Sequence, residues 1–164
     1  MTLRVGRLVL VALMGAALLQ VGAPPASAAG GWSCPIKKDV GFLQGVHGSH
    51  DGVDMAAGPF PYVRGRKVRA VAGGTVTYQH DPGGYGKWIN FHADGGRRLV
   101  YGHLKKEQLV PNGAHVLKDD AIGRIGMSGN ATAPHLHFEV HRKGSDAVMD
   151  PVPKLDHCNW INPP

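Results

Sequence analysis

His135-Leu136-His137-Phe138-Glu139-Val140-His141 alternates polar and apolar side chains without a break. A β-strand sends successive side chains to opposite faces. The stretch therefore predicts a strand with Leu136, Phe138 and Val140 in a core and His135, His137, Glu139 and His141 on the other face. Two imidazoles at alternate strand positions share a side, about 7 Å apart at Cα. Both can then bind one metal ion, or one can bind while the other moves protons.

Outward from this strand the chain continues in short pieces of the same kind. Strand-like runs occupy residues 68–72, 75–79, 88–92, 99–103, 121–126 and 136–142. Turn signals separate them, among them Ala72-Gly73-Gly74, Asp81-Pro82-Gly83-Gly84 and Asp94-Gly95-Gly96. Sustained helical periodicity is missing, and residues 105–109 offer at most one turn. The expectation is an all-β or mainly β domain, an antiparallel sheet with a groove above it. Within it Leu99, Tyr101 and His103 are expected on one strand face, with Val100 and Leu104 on the other. Tyr101 then faces either the groove or the core. The tail, residues 150–164, has four prolines and is expected to run irregularly back towards Cys34.

The first 28 residues read differently. Arg4 and Arg7 precede an apolar run at 8–19, and Ala26-Ser27-Ala28 offers a small-x-small cleavage site. That is the layout of a secretory signal peptide. The run is about a dozen residues, short of the roughly 20 that span a bilayer. The expected mature chain is one domain, 29–164, secreted and wall-associated, with no stable membrane insertion. It keeps 16 of the 18 basic side chains and all 12 acidic ones, a net of +4. Mild basicity suits an anionic partner such as a bacterial wall, or simple solubility. No aromatics are interleaved with bases, so a nucleic-acid platform is not expected. The local cluster Arg64, Arg66, Lys67 and Arg69 reads as a solvated loop. A monomer is expected. An exported chain meets an oxidising environment, so Cys34 and Cys158 are expected to form one disulfide. A lipid-attachment role for Cys34 is disfavoured by the preceding Gly31-Trp32-Ser33.

Three pieces carry chemistry: His50-Asp51-Gly52-Val53-Asp54, Tyr101-Gly102-His103-Leu104 and His135-Leu136-His137. Imidazole and carboxylate are ligands of catalytic zinc, which takes three protein groups and keeps a fourth position for water. An i, i+4 His/Asp pair reaches one ion from a helix or a tight loop, and Gly48 and Gly52 favour the loop. Each piece alone has a bland alternative: a solvated loop residue, a packed strand histidine, or an alternating surface strand. Their joint occurrence is what points to a divalent site.

These pieces, with Met55-Ala56-Ala57, Val68-Arg69-Ala70-Val71-Ala72-Gly73-Gly74-Thr75-Val76, Gly84-Tyr85-Gly86, Ile122-Gly123-Arg124-Ile125-Gly126-Met127-Ser128-Gly129 and Phe138-Glu139, resemble the lysostaphin-type zinc endopeptidases, bacterial enzymes that cut peptide bonds in peptidoglycan. Order and approximate spacing hold over about residues 45–152. The resemblance implies one zinc ion held by His50, Asp54 and His137. His135 would be the general base, and His103 would orient water or stabilise the oxyanion. Residues 58–67 are a few more than the family turn has, which affects substrate preference rather than the metal site. Three other functions remain open at this point: a non-catalytic wall-binding or regulatory protein on the same scaffold, a general secreted metalloprotease, and a closed structural zinc site. His47 competes with His50 as a ligand by residue type. Glu139 is expected either to bond one of the histidines or to take a solvated or wall position.

Overall fold

The computed structural model describes residues 31–57 and 63–162. The expected signal peptide, and residues 58–62 of the longer turn, lie outside the described residues. The strands are β1 Val40–Gln44, β2 Val53–Ala57, β3 Lys67–Arg69, β4 Gly74–Asp81, β5 Gly86–Ala93, β6 Arg98–Leu104, β7 His115–Val116, β8 Ala121–Arg124, β9 Leu136–His141, β10 Val148–Met149 and β11 Trp160–Asn162. A 3-10 turn, Val152–Lys154, is the one helical element among the described residues. The main sheet runs β11-β1-β2-β9-β6-β5-β4-β7, with β10 also on β9, and β3 pairs β8 in a small second sheet. All neighbours are antiparallel except β1 and β11.

The core forms where the apolar halves of the alternating strands meet. Val53 and Met55 of β2, Leu136, Phe138 and Val140 of β9, Leu99 and Tyr101 of β6, and Ile89 and Phe91 of β5 are all fully buried on one sheet face. Tyr101 lies edge-on to Phe91 at 5.8 Å and tilted against Phe138 at 5.0 Å. Its hydroxyl accepts the Val71 N–H at 3.2 Å, which ties the segment after β3 to the sheet. Tyr101 is therefore a core residue and not a groove residue. Each large side chain buried in this way stabilises the fold by about 1.5–3 kcal/mol before entropy is counted.

Four expectations change. Asp54 belongs to a strand and not to a loop: β2 places it directly opposite His137. The expected face partition of β6 fails because that strand bulges. Between the pairs Ile89↔Tyr101 and Lys87↔Leu104, β6 advances three residues while β5 advances two. The extra residue puts both Gly102 and His103 on the outer side and returns Leu104 to the core. Residues 105–109 form no helical turn. The Lys105 N–H bonds the Arg124 carbonyl at 2.9 Å instead, and a single isolated turn has little stability of its own. Finally, the tail is partly regular, since β11 adds in parallel to β1.

Cys34 and Cys158 are joined, with Cα atoms 5.6 Å apart and a sequence separation of 124. Of the basic cluster, Arg66 donates to the carbonyls of Lys37 and Lys38, and Arg69 donates to that of Asp119. Those two side chains staple neighbouring loops, so only part of the cluster is a solvated surface.

Candidate metal centre

On the outer sheet face, β9 carries His137 between Asp54 on one neighbour and Gly102 on the other. The flanking glycines leave room for the ring. A Cβ at Gly52 would sit 2.8 Å from His137 Cε1 and Nε2, and one at Gly102 would sit 3.2 Å from His137 Cβ. His50 arrives from the β1–β2 connection. There the backbones of His47 and His50 exchange hydrogen bonds at 3.0 and 2.7 Å around Gly48, whose φ is +48°. His47 is exposed and lies outside the donor group described next.

Donor atoms of His50, Asp54 and His137 all lie within 4.8 Å of one another. The His50 Nδ1 is 2.8 Å from the Gly45 carbonyl, an acceptor, so Nδ1 carries the proton. That leaves Nε2 with a bare lone pair, buried and without a hydrogen-bond partner, 3.2 Å from Asp54 Oδ1. Two lone pairs aimed at each other repel unless a cation sits between them. On the far side, His137 Nδ1 is 2.8 Å from the same Asp54 Oδ1, and its Nε2 is 2.9 Å from Glu139 Oε1. Two nitrogens and one carboxylate, open towards a cleft, are the donor set of a catalytic zinc site. The residues present fit that metal. The second cluster of possible ligands, Cys34, His157 and Cys158, has both sulfurs committed to the disulfide.

The charges follow from these contacts. Burial opposes a charge on His137, but hydrogen bonds to Asp54 and Glu139 outweigh it and raise its pKa to about 9. Burial likewise opposes the Asp54 carboxylate, yet the His137 hydrogen bond and the neighbouring imidazoles hold its pKa below the ordinary value. Glu139 is 1% exposed. Burial works against its ionisation too, and hydrogen bonds from His137, Tyr85 and His141 reverse the sign.

Glu139 is therefore neither solvated nor a cleft wall. It accepts the Tyr85 hydroxyl at 2.6 Å on the oxygen that faces His137, while its other oxygen is 2.8 Å from His141 Nε2. This fixes which His137 nitrogen is left for a metal. Tyr85 also lays its ring 5.6 Å from that of His137. Sequence reasoning gave Tyr85 no role, although its place between Gly84 and Gly86 marks a residue held at a tight turn.

His135 and His103 stand beside the three donors, their ring centroids 4.6 Å apart. Each points Nδ1 at a backbone carbonyl, of Ala133 and Ser128 respectively, at 2.8 Å. Each therefore keeps Nε2 as a free acceptor, and that of His135 lies 3.5 Å from Asp54 Oδ1. Burial lowers the His103 pKa and its imidazole neighbours add to the effect, more than the Ser128 and Asp54 contacts restore. All five residues singled out from sequence line one cleft of about 600 Å³, rimmed by Gln44, Ser49, Asn130 and Thr132.

The model of peptidase family M23 matches residues 48–151. The DD-carboxypeptidase/endopeptidase Mpg of Neisseria meningitidis serogroup B is 33% identical over 114 residues, covering 67% of this chain and 25% of that protein. Lysostaphin of Staphylococcus simulans is 33% identical over 137 residues, covering 79% of this chain and 27% of the relative. The chain thus spans about a quarter of the length of these curated relatives. In three dimensions, the antimicrobial peptidase lysostaphin from Staphylococcus simulans matches with a TM-score of 0.64 at 26% identity, over 76% of this chain and 54% of that one. With more than half of its length matched by the family model, the chain belongs to peptidase family M23.

Proposed function

We propose that this protein is a secreted zinc metalloendopeptidase that hydrolyses peptide bonds in bacterial peptidoglycan. The observation that carries it is the bare, buried Nε2 of His50 converging with Asp54 and His137 on one open point. His50, Asp54 and His137 would hold one zinc ion. Bound there, zinc would polarise the scissile carbonyl and acidify a water molecule. The activities of the relatives, a DD-carboxypeptidase/endopeptidase and an antimicrobial peptidase, support a wall peptide as substrate. The Arg4 and Arg7 start, the apolar run and the Ala26-Ser27-Ala28 site support export.

The remaining steps belong to the chain's own side chains. His135, locked as the Nδ1–H tautomer by the Ala133 carbonyl, presents Nε2 as general base. It takes the proton of the attacking water and returns it to the leaving amine. His103, locked in the same tautomer by Ser128, accepts a hydrogen bond at Nε2 and so orients that water. Tyr85 has its hydroxyl committed to Glu139 and serves to hold the carboxylate behind His137.

The test is mass spectrometry of fragments released from purified peptidoglycan by the zinc-loaded protein, with a chelator-treated control and a protein substrate alongside. New amine termini from the wall, lost on chelation, are expected. A protein that binds the wall but releases nothing would favour a non-catalytic role, and equal cleavage of the protein substrate would favour a general protease.

A further inference from the structure

Next to the catalytic cleft lies a second groove, of about 650 Å³, lined by Arg64, Lys87, Lys105, Lys106, Met127 and Ser128. It continues into a third hollow of about 520 Å³ that shares Lys87, Lys105 and Lys106 and adds the Trp88 ring. Four cations from three separate stretches of chain therefore face one channel. Glu107, itself exposed, is the acid in its lining and pairs with Lys105 at 3.2 Å. Arg64, Lys87 and Lys106 have no carboxylate partner among the described residues. Like charges gathered without counter-charges repel one another, and an anionic ligand relieves that repulsion.

The strip of chain between groove and cleft is Gly126-Met127-Ser128. Gly126 bridges to His135 in the backbone, and its N–H donates to the His103 carbonyl at 3.0 Å. The Ser128 carbonyl accepts from His103 Nδ1 on the cleft side, while its hydroxyl accepts the Lys87 N–H at 2.8 Å on the groove side. A Cβ at Gly126 would fall 2.6 Å from the Leu104 carbonyl carbon, so this strip packs tightly against β6. Met127, 47% exposed, caps it with an apolar surface. An extended peptide laid across this strip would run from the cleft histidines onto the cations.

We propose that this basic groove binds the carboxylates of the peptide that flanks the scissile bond, so that the substrate is a carboxylate-bearing stem peptide of the wall and not a neutral oligoglycine bridge. The assignment rests on the peptidase function proposed above. It also gives a separable prediction, because charge recognition in the groove can be measured without turnover.

The experiment uses the zinc-loaded wild type and the R64Q/K106Q variant, which alters two exposed side chains outside the catalytic machinery. Three probes are compared: a cross-linked stem-peptide dimer with free carboxylates, its fully amidated counterpart, and pentaglycine. Both kcat/KM and the binding of fluorescently labelled, uncleaved analogues are measured at low and high salt. Two exposed charge pairs give an expected wild-type preference for the carboxylate form of about 10-fold, mostly in KM and shrinking as salt rises. R64Q/K106Q is expected to lose that preference while cleaving the amidated dimer as the wild type does. Equal handling of carboxylate and amidated forms by the wild type, or a preference that survives in R64Q/K106Q, would overturn the groove assignment and leave the peptidase function intact. Carboxylate-dependent binding without cleavage of any probe would sustain the groove and sink the peptidase. Tighter binding of polyglycerol phosphate than of the carboxylate peptide, lost in R64Q/K106Q, would overturn the choice of occupant.

Discussion

His103 adopts φ +58° inside a strand, a conformation that costs a residue with a Cβ roughly 1–2 kcal/mol. The site gains a second imidazole from it, because the bulge turns the ring outward beside His135. Side-chain chemistry drew attention to the three pieces that carry the cleft residues, and the family resemblance selected these five among them, His50 rather than His47 included. The groups that set their tautomers were not legible. They are backbone carbonyls of Gly45, Ser128 and Ala133, which no side-chain pattern announces. Replacing His137 or Asp54 by Ala is expected to reduce bound zinc severalfold or more, measured by inductively coupled plasma mass spectrometry. His135→Ala is expected to retain zinc and lose about 10²–10⁴-fold in kcat. An empty site in His135→Ala would mean that the ligand and base roles are exchanged. Glu139 acts one step further back, through His137. Glu139→Ala is expected to weaken zinc about 10–100-fold in a chelator competition, with Glu139→Gln in between because it keeps an acceptor oxygen.

At the scale of elements, β9 was read correctly in its alternation but not in its surroundings. Its polar face is as buried as its apolar one: His137 is 6%, Glu139 1% and His141 4% exposed. Tyr85 and the histidines close over that face, and such closure depends on loops distant in sequence. β2 was hidden by the glycines around it, which signal a turn more strongly than five residues signal a strand. β1 contains Gly41 and lacks clean alternation, so nothing local marked it. The bulge in β6 required knowledge of both partner registers. Gly52 is the element-level test of this packing. Gly52→Ala brings a methyl group onto the His137 ring and the Phe138 carbonyl, each at 2.8 Å. Zinc content is expected to fall and stability to drop by about 1–3 kcal/mol in urea titration, as overpacked positions do.

Across the whole molecule, the disulfide closes a loop of 124 positions and joins the segment before β1 to the one before β11. Loop entropy assigns it roughly 4–5 kcal/mol. Paired Cys34→Ser and Cys158→Ser substitution is expected to lower the urea midpoint strongly while leaving zinc stoichiometry in the folded protein unchanged, because neither sulfur is near the cleft. This bond was legible from the cysteine count together with the signal-like start of the sequence, whereas the basic groove was not. Lys87 and the Lys105–Lys106 pair are far from Arg64 in sequence, and two of the four members of the local basic cluster, Arg66 and Arg69, staple loops instead. The proposed function requires two histidines and one aspartate to hold an ion with its remaining position open to the cleft. An anomalous difference map at the zinc edge, from crystals of the zinc-loaded protein, tests it most directly. One peak within bonding distance of His50 Nε2, Asp54 and His137 Nδ1, with no fourth protein ligand, is the predicted result. A peak centred on His103 and His135, or one enclosed by four protein ligands, would contradict it.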